Sequence, residues 1–292
     1  MKPITKAYIF IHLAVLLWGI TAILGKLISY NEYILVWIRM ILVSLSFLFF
    51  KKTYQGLKTI KKGEAVRIGL NGILVAIHWV FFYGAIKYSN VSVTLSILAT
   101  ISLMTSFLEP LITKRKFQWY ESLLGFTVIP GIYLIFFYTD ASYFTGMIMA
   151  FTCAFFAAIF TSFNKKFVEY TNPYTFSFIQ ISTGLLFITI WLPVYLHQFS
   201  DAWYMGSQMD FVYLLILSFL CTTIPFVLSL IALKQLNAFT TNLITNLEPV
   251  YGIILAAIIF KENQNMDIRF YIGASIVIIS VFLQPYFRRK LI

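Results

Sequence analysis

Long apolar stretches recur along the whole chain and are separated by short polar joints. A membrane-spanning helix needs about 20 predominantly apolar residues. Stretches of that kind lie at roughly 7–28, 33–50, 65–87, 90–113, 119–138, 143–165, 173–196, 210–234, 237–260 and 267–287. This pattern predicts an all-α integral membrane protein of ten transmembrane helices. The count turns on two joints, Lys87 to Asn90 and Lys234 to Asn237, where long apolar segments meet across only a few polar residues. The first run follows Lys2 and Lys6, as a signal peptide would. It continues from Ala7 to about Ile28 without a small-residue cleavage pattern, so it reads as a retained helix.

Composition agrees with this picture. The 292 residues are 60% hydrophobic and 11% charged, with a mean hydropathy of +0.84, far more apolar than one soluble core requires. The net charge of +11 would raise the question of nucleic acid in a soluble protein. Here it follows from orientation, because Lys and Arg collect in cytoplasmic loops. With the N-terminus inside, cytoplasmic segments hold 17 of the 22 cations, among them Lys51, Lys52, Lys58, Lys61, Lys62, Arg67, the run Lys114 to Lys116, Lys165 and Lys166. The other side receives Lys26, Lys87, Lys261 and Arg269, and Arg39 falls within a helix. Both termini are therefore expected to be cytoplasmic. Cys153 and Cys221 lie in apolar segments without metal-ligand spacing and read as small core residues.

The chain also repeats itself. Trp18-Gly19 through Gly25-Lys26 precedes Ala157-Ala158 through Asn164-Lys165 by 139 residues. Ala85-Ile86-Lys87 precedes Ala232-Leu233-Lys234 by 147, and Gly125 precedes Gly273 by 148. Two five-helix halves follow, 7–138 and 143–287. A unit with an odd number of crossings enters the membrane in opposite senses in its two copies, so the halves form an inverted repeat. Leu108-Glu109-Pro110 and Leu247-Glu248-Pro249 look alike but are 139 apart where neighbouring anchors demand about 147, so they count as separate features.

These residues resemble the EamA-type members of the drug/metabolite transporter superfamily over nearly the whole chain. The resemblance is carried by Trp18-Gly19 followed by Lys26, by Arg39, and by Ala232-Leu233-Lys234. It continues through Asn237 to Asn246, Leu247-Glu248-Pro249-Val250, Lys261-Glu262 and Gly273. The first half departs from the pattern: Thr100-Ile101 stands where the Glu-Pro equivalent belongs, and Ala157-Ala158 replaces Trp-Gly in helix 6. The resemblance implies ten helices in two inverted repeats and transport of small organic metabolites, such as amino acids, by alternating access. It further implies residence in the plasma (inner) membrane and export as the common direction. It leaves the cargo open.

Among candidate residues Glu248 leads, because a carboxyl inside a spanning segment costs a few kcal/mol to place. Pro249 removes a backbone donor and displaces the Thr245 carbonyl, predicting a kink. Thr241, Thr245, Glu248 and Gly252 share one helical face, with Asn242 close by; the competing reading of Glu248 is a structural pair with another helix. Glu109 has the same physics, but the cations Lys114 to Lys116 lie near enough to pair with it. Arg39 could hold a substrate carboxylate, and the plainer reading is an ion pair with Glu32 or with a neighbouring helix. His78, Trp79 and Tyr83 could form a ring-lined pocket with one titratable nitrogen able to couple flux to protons, against a plain packing role for His78. Trp18 joins them as a further aromatic candidate. Asn71, Gln180, Asn242 and Asn246 more often join helices than bind cargo. Pro130-Gly131 and Pro225 are kink and hinge candidates.

No metal site and no cofactor is expected, and the partners are a small-molecule substrate and the lipid bilayer, with no nucleic acid. A nucleotide-driven pump would need a GxxxxGK[ST] cradle, and the chain has none. The alternatives from other classes are a membrane-embedded enzyme and a non-transporting sensor. The enzyme would want an HExxH or GxSxG arrangement, whereas His12, His78 and His197 are scattered.

Overall fold

The computed structural model describes residues 2–127, 129–199, 206–264, 267–276 and 279, and every regular element among them is helical. The first half begins with α1 (Pro3–Trp18), α2 (Thr21–Leu27) and α3 (Glu32–Phe47), followed by a short α4 (Lys51–Thr59) and a long α5 (Lys62–Tyr88). It continues through α6 (Val91–Leu98), α7 (Ile101–Thr113), α8 (Trp119–Phe126) and α9 (Ile129–Phe137). The second half runs through α10 (Phe144–Phe167), α11 (Pro173–Gln198) and α12 (Gln208–Ser218). A π-helical turn at Phe219–Thr223 leads into α13 (Ile224–Leu233), then α14 (Ala238–Thr245), α15 (Glu248–Phe260) and a last helical stretch, α16, at 268–276.

Seven stretches among the described residues are long and apolar enough to cross a membrane, and an eighth is added if α3 and α4 count as one bent span. The burial pattern is that of a protein solvated by lipid. Leu111 and Ile258 stand 76% and 70% exposed, while Arg39 and Glu109 are 3% and 1% exposed. In hydrocarbon, polar groups must find partners inside the protein and apolar side chains can face outward.

Several predicted helices are interrupted, each for a visible reason. The expected helix 7–28 starts at Pro3 and breaks at Gly19 and Ile20. There Thr21 donates its hydroxyl to the freed carbonyl of Trp18 at 2.6 Å, and a Cβ on Gly19 would lie 2.7 Å from Cβ of Tyr251. The segment 90–113 breaks at Ala99 and Thr100, and 237–260 breaks at Asn246 and Leu247, the latter directly before Glu248 and Pro249. Proline in the first turn of a helix loses no bond, which places the break N-terminal to it. Pro225 likewise sits in the first turn of α13 behind the π turn, where the hydroxyls of Thr222 and Thr223 donate to carbonyls five residues back. Pro130 and Gly131 lie in the first turn of α9. The region after Phe50, expected as loop, forms α4, which turns 86° from α3. Of the expected helix 267–287, residues 277, 278 and 280–287 lie outside the described residues.

The joints at Lys87 to Asn90 and Lys234 to Asn237 are true helix boundaries. Asn90 accepts from the Val93 N–H at 2.8 Å and Asn237 from the Thr240 N–H at 2.7 Å, side-chain caps worth about 1 kcal/mol each. The internal repeat is also structural. Helices α6 and α7 recur as α14 and α15 with every boundary displaced by 147 residues, and the left-handed residue that ends α7, Lys114, recurs as Lys261.

The halves interlock. Helix α5 packs against α10 and α11, α1 against α13, and α10 against α7. Glycines bring α5 and α11 together: a Cβ on Gly72 would run into the backbone carbonyl of Gln180, and one on Gly184 would lie 2.6 Å from the Gly72 carbonyl oxygen. Small residues permit such backbone contact in membranes. Gly72→Leu is therefore expected to destabilise the protein by about 1–3 kcal/mol or more, the cost of overpacking. Gly63→Leu on the same helix, where a Cβ meets nothing within 4 Å, should leave the melting temperature nearly unchanged. Equal melting temperatures for the two variants would refute the close contact.

Candidate functional site

A cavity opens where the interrupted helices converge. One wall is Trp18 and Thr21, flanking the α1–α2 break, with Arg39 from α3 and His78, Trp79 and Phe82 from α5. Leu98 and Ile101 flank the α6–α7 break. The second half contributes Ala157, Phe160, Thr161 and Asn164 from α10, Phe226, Ser229, Leu230 and Leu233 from α13, and Thr241, Asn242, Thr245 and Glu248 around the α14–α15 break. Both repeats thus build the site, and residues matched by the repeat meet in it: Trp18 with Ala157, Leu98 with Thr245, Ile101 with Glu248. About 110 Å³ of the cavity is open to the centre of a water molecule. One water needs roughly 10–15 Å³ on that measure, so the space suits a small organic solute.

Arg39 is the only Lys or Arg in the described lining. Its Nη1 donates to the Tyr83 hydroxyl at 2.6 Å, and Nε and Nη2 both donate to Thr222 Oγ1 at 3.0 and 2.7 Å. The guanidinium lies 3.9 Å from the centre of the Trp79 ring, a cation–π geometry. The expected pair with Glu32 is not formed; Glu32 instead accepts from the Tyr195 hydroxyl at 3.3 Å. No carboxylate among the described residues comes within ion-pair distance of Arg39. Tyr83, expected in a ring-lined pocket, stands outside the lining. It is fully buried behind Arg39 and holds the guanidinium in place. Thr222, its other holder, has no distinguishing signal in the sequence.

Glu248 begins α15, where a negative side chain is favoured by the unsatisfied N–H groups of the first turn. It lines the cavity and makes no hydrogen bond or ion pair with the described residues. Its repeat counterpart, Ile101, is apolar, so the described lining holds one carboxyl rather than two. His78 lines the cavity while Nδ1 contacts the Cys153 carbonyl oxygen at 3.0 Å and its Sγ at 3.1 Å, which ties the ring to α10. Phe226 stands edge-on to Trp79 at 5.6 Å and to Trp18 at 6.5 Å, forming a continuous aromatic wall.

The intramembrane amides stitch helices together. Asn242 donates to Thr105 Oγ1 at 2.8 Å, Asn246 to the Ala99 carbonyl at 3.1 Å and to Ser102 Oγ at 2.9 Å. Asn71 and Gln180 both donate to Asn164 Oδ1, at 2.8 and 2.7 Å. Asn164 also lines the cavity.

Glu109 lies away from the cavity, in an anchoring cluster. It accepts from the Ala238 and Phe239 N–H groups at 2.9 and 2.8 Å, satisfying the first turn of α14, and from Arg115 Nη2 at 3.1 Å. Arg115 also pairs with Glu121. Burial works against the charge of Arg115, but the two carboxylates more than offset it and raise its pKa above the ordinary guanidinium value. Glu262 builds a comparable cluster from the 3-10 turn that follows α15. It accepts from Lys26 Nζ at 2.6 Å, from the Ser92 N–H and hydroxyl at 3.0 and 2.6 Å, and from the Val91 N–H at 3.3 Å, satisfying the start of α6. Each half therefore holds the N-terminus of the other half's interrupted helix with a buried carboxylate.

An all-helical, multi-pass membrane protein with two repeats around a shared cavity is the architecture of a solute carrier. Residues 5–137 and 144–284 each match the EamA-like transporter family. The chain belongs to that family, and the two matched segments coincide with the internal repeat. A comparison with curated proteins finds no match. Among solved structures, one described only as the crystal structure of a protein is similar in fold, with a TM-score of 0.71 and 12% identity over 98% of this chain and 99% of that one.

Proposed function

We propose that the protein is a secondary transporter that moves a small zwitterionic metabolite, such as an amino acid, by alternating access. The observation that carries this reading is the cavity itself: Arg39 presents a guanidinium and Glu248 a carboxyl, neither ion-paired within the described residues, between aromatic walls. A solute with a carboxylate and an amine satisfies both groups, and its apolar part contacts Trp18, Trp79 and Phe226. Glu248 also serves as the proton-carrying group, since a carboxyl facing an intramembrane cavity can exchange a proton for the cationic end of the cargo. Export as the direction, and the plasma (inner) membrane as the location, rest on the family.

The proposed topology is ten crossings in two inverted repeats, 7–138 and 143–287, with both termini cytoplasmic. Inversion sets the Glu109 and Glu262 clusters on opposite sides of the membrane. Alternating access then loosens one cluster while the other stays closed.

The test is amino-acid flux in proteoliposomes with and without an imposed pH gradient. Gradient-driven accumulation by the native protein is expected. Glu248→Gln should lower it roughly tenfold or more, the loss of one charge-assisted contact at about 1.4 kcal/mol per decade, with little change in melting temperature. A folded native protein that moves no organic solute under either condition would sink the transport reading. Accumulation that survives Glu248→Gln at full gradient dependence would remove the coupling role alone.

A further inference from the structure

We propose that α4 and its flanks form a binding surface for anionic phospholipid headgroups. The chain leaves α3, turns through 86° and runs as α4 before α5 re-enters the helical body, so α4 lies across the ends of the spanning helices. It is held there firmly. Thr53 and Gly56, one turn apart, are buried against the start of α11. Asn172 donates to the Lys52 carbonyl at 2.9 Å, and Thr175 donates to the carbonyls of Lys52 and Thr53 at 3.1 and 3.0 Å.

The other faces of α4 are divided by chemistry. Lys51 and Lys58, two turns apart, point away from the buried face, and Lys61 and Lys62 continue the charge into α5; these four and Lys52 are all exposed. None of the five takes part in an ion pair among the described residues. The one carboxylate of the segment, Glu64, accepts from the Lys61 N–H at 3.2 Å at the start of α5. Beside these cations Phe49 stands 86% exposed in the turn before α4, and Tyr54 and Leu57 are exposed on α4 itself. Cations on one face and aromatic or aliphatic side chains on the next are what a helix lying in the bilayer interface presents. A cluster of lysines at that depth attracts anionic headgroups. A soluble acidic partner would leave the apolar flank uncovered, and free phosphate would use only the charge. A lipid surface satisfies both faces, and it would brace the corner between α3, which carries Arg39, and α5, which carries His78 and Trp79.

The test compares thermal unfolding of the full-length protein in phosphatidylcholine vesicles with that in vesicles of mixed phosphatidylcholine and phosphatidylglycerol. The expected result is a melting temperature several degrees higher with phosphatidylglycerol. The difference should vanish in 1 M NaCl, where the screening length falls to about 3 Å. It should also vanish in the combined variant Lys51→Gln, Lys52→Gln, Lys58→Gln, Lys61→Gln, Lys62→Gln, whose melting temperature in pure phosphatidylcholine should match the native protein. If that variant does not fold, the double variant Lys51→Gln, Lys58→Gln, which touches only the outward face, should lose a measurable part of the shift. Equal melting temperatures in the two lipids, a shift that persists in high salt, or an equal shift produced by soluble glycerol phosphate would overturn the proposal.

Discussion

Arg39→Met is expected to lower solute flux roughly 10- to 150-fold while the protein remains folded. The guanidinium is buried, faces the cavity and is committed only to neutral partners, Thr222 and Tyr83. Its charge is therefore left for the cargo. A hydrogen bond to a charged group contributes about 1.5–3 kcal/mol, which at about 1.4 kcal/mol per decade gives that range. Stability should change little, because exchanging a buried charge for an apolar side chain of similar length removes a desolvation cost together with the contacts. Thr222 keeps its bond to the Leu217 carbonyl, and only the Tyr83 hydroxyl is orphaned. Arg39→Lys should fall between native and Met, since an ammonium cannot reproduce the planar fork that bonds Thr222 and Tyr83 while stacking on Trp79. Initial rates of radiolabelled amino-acid uptake, read beside melting temperatures, check this. A folded Met variant with half or more of the native rate would show that the cargo does not use this charge.

The largest loss of stability is expected from Glu109→Ala, about 3–5 kcal/mol, with flux lost only as far as folded protein is lost. The substitution strips two N–H groups in the first turn of α14 of their acceptor and takes one of two carboxylates from Arg115. Removing one partner of a buried ionic cluster costs that much because the remaining groups cannot find water. Glu248→Gln, by contrast, breaks no hydrogen bond to a described residue. Thermal unfolding of the two variants in one detergent separates the roles. A Glu109→Ala protein as stable as the native one would mean that α14 needs no anchor from the other half.

The two Leu-Glu-Pro sequences show how far sequence reasoning reached. As local patterns they are the same, and each predicts a costly carboxyl beside a proline. The repeat register of 147 separates them, and the structure gives the reason: Glu248 opens α15 at a helix break inside the cavity, whereas Glu109 sits near the end of α7, one turn before the left-handed Lys114. Depth along the helix decided which carboxyl meets solute space. The cation cluster beside Glu109 pointed to its structural role, and Arg115 fills that role.

Sequence alone located the apolar segments, the polar joints that end at Asn90 and Asn237, the proline beside Glu248, the repeat and the family resemblance. All of these are written in hydropathy, capping and spacing over a few residues, where the chain's own neighbours supply the physics. Tertiary structure decided which polar groups face one another. Arg39 bonds to residues 44 and 183 positions away, Glu262 caps a helix 170 positions earlier, and α4 lies flat because Thr175 and Asn172 of another helix receive it. A lone Arg or Glu in an apolar helix must be satisfied by something, and nothing in its local sequence states by what; only the packing of the two halves supplies the partner.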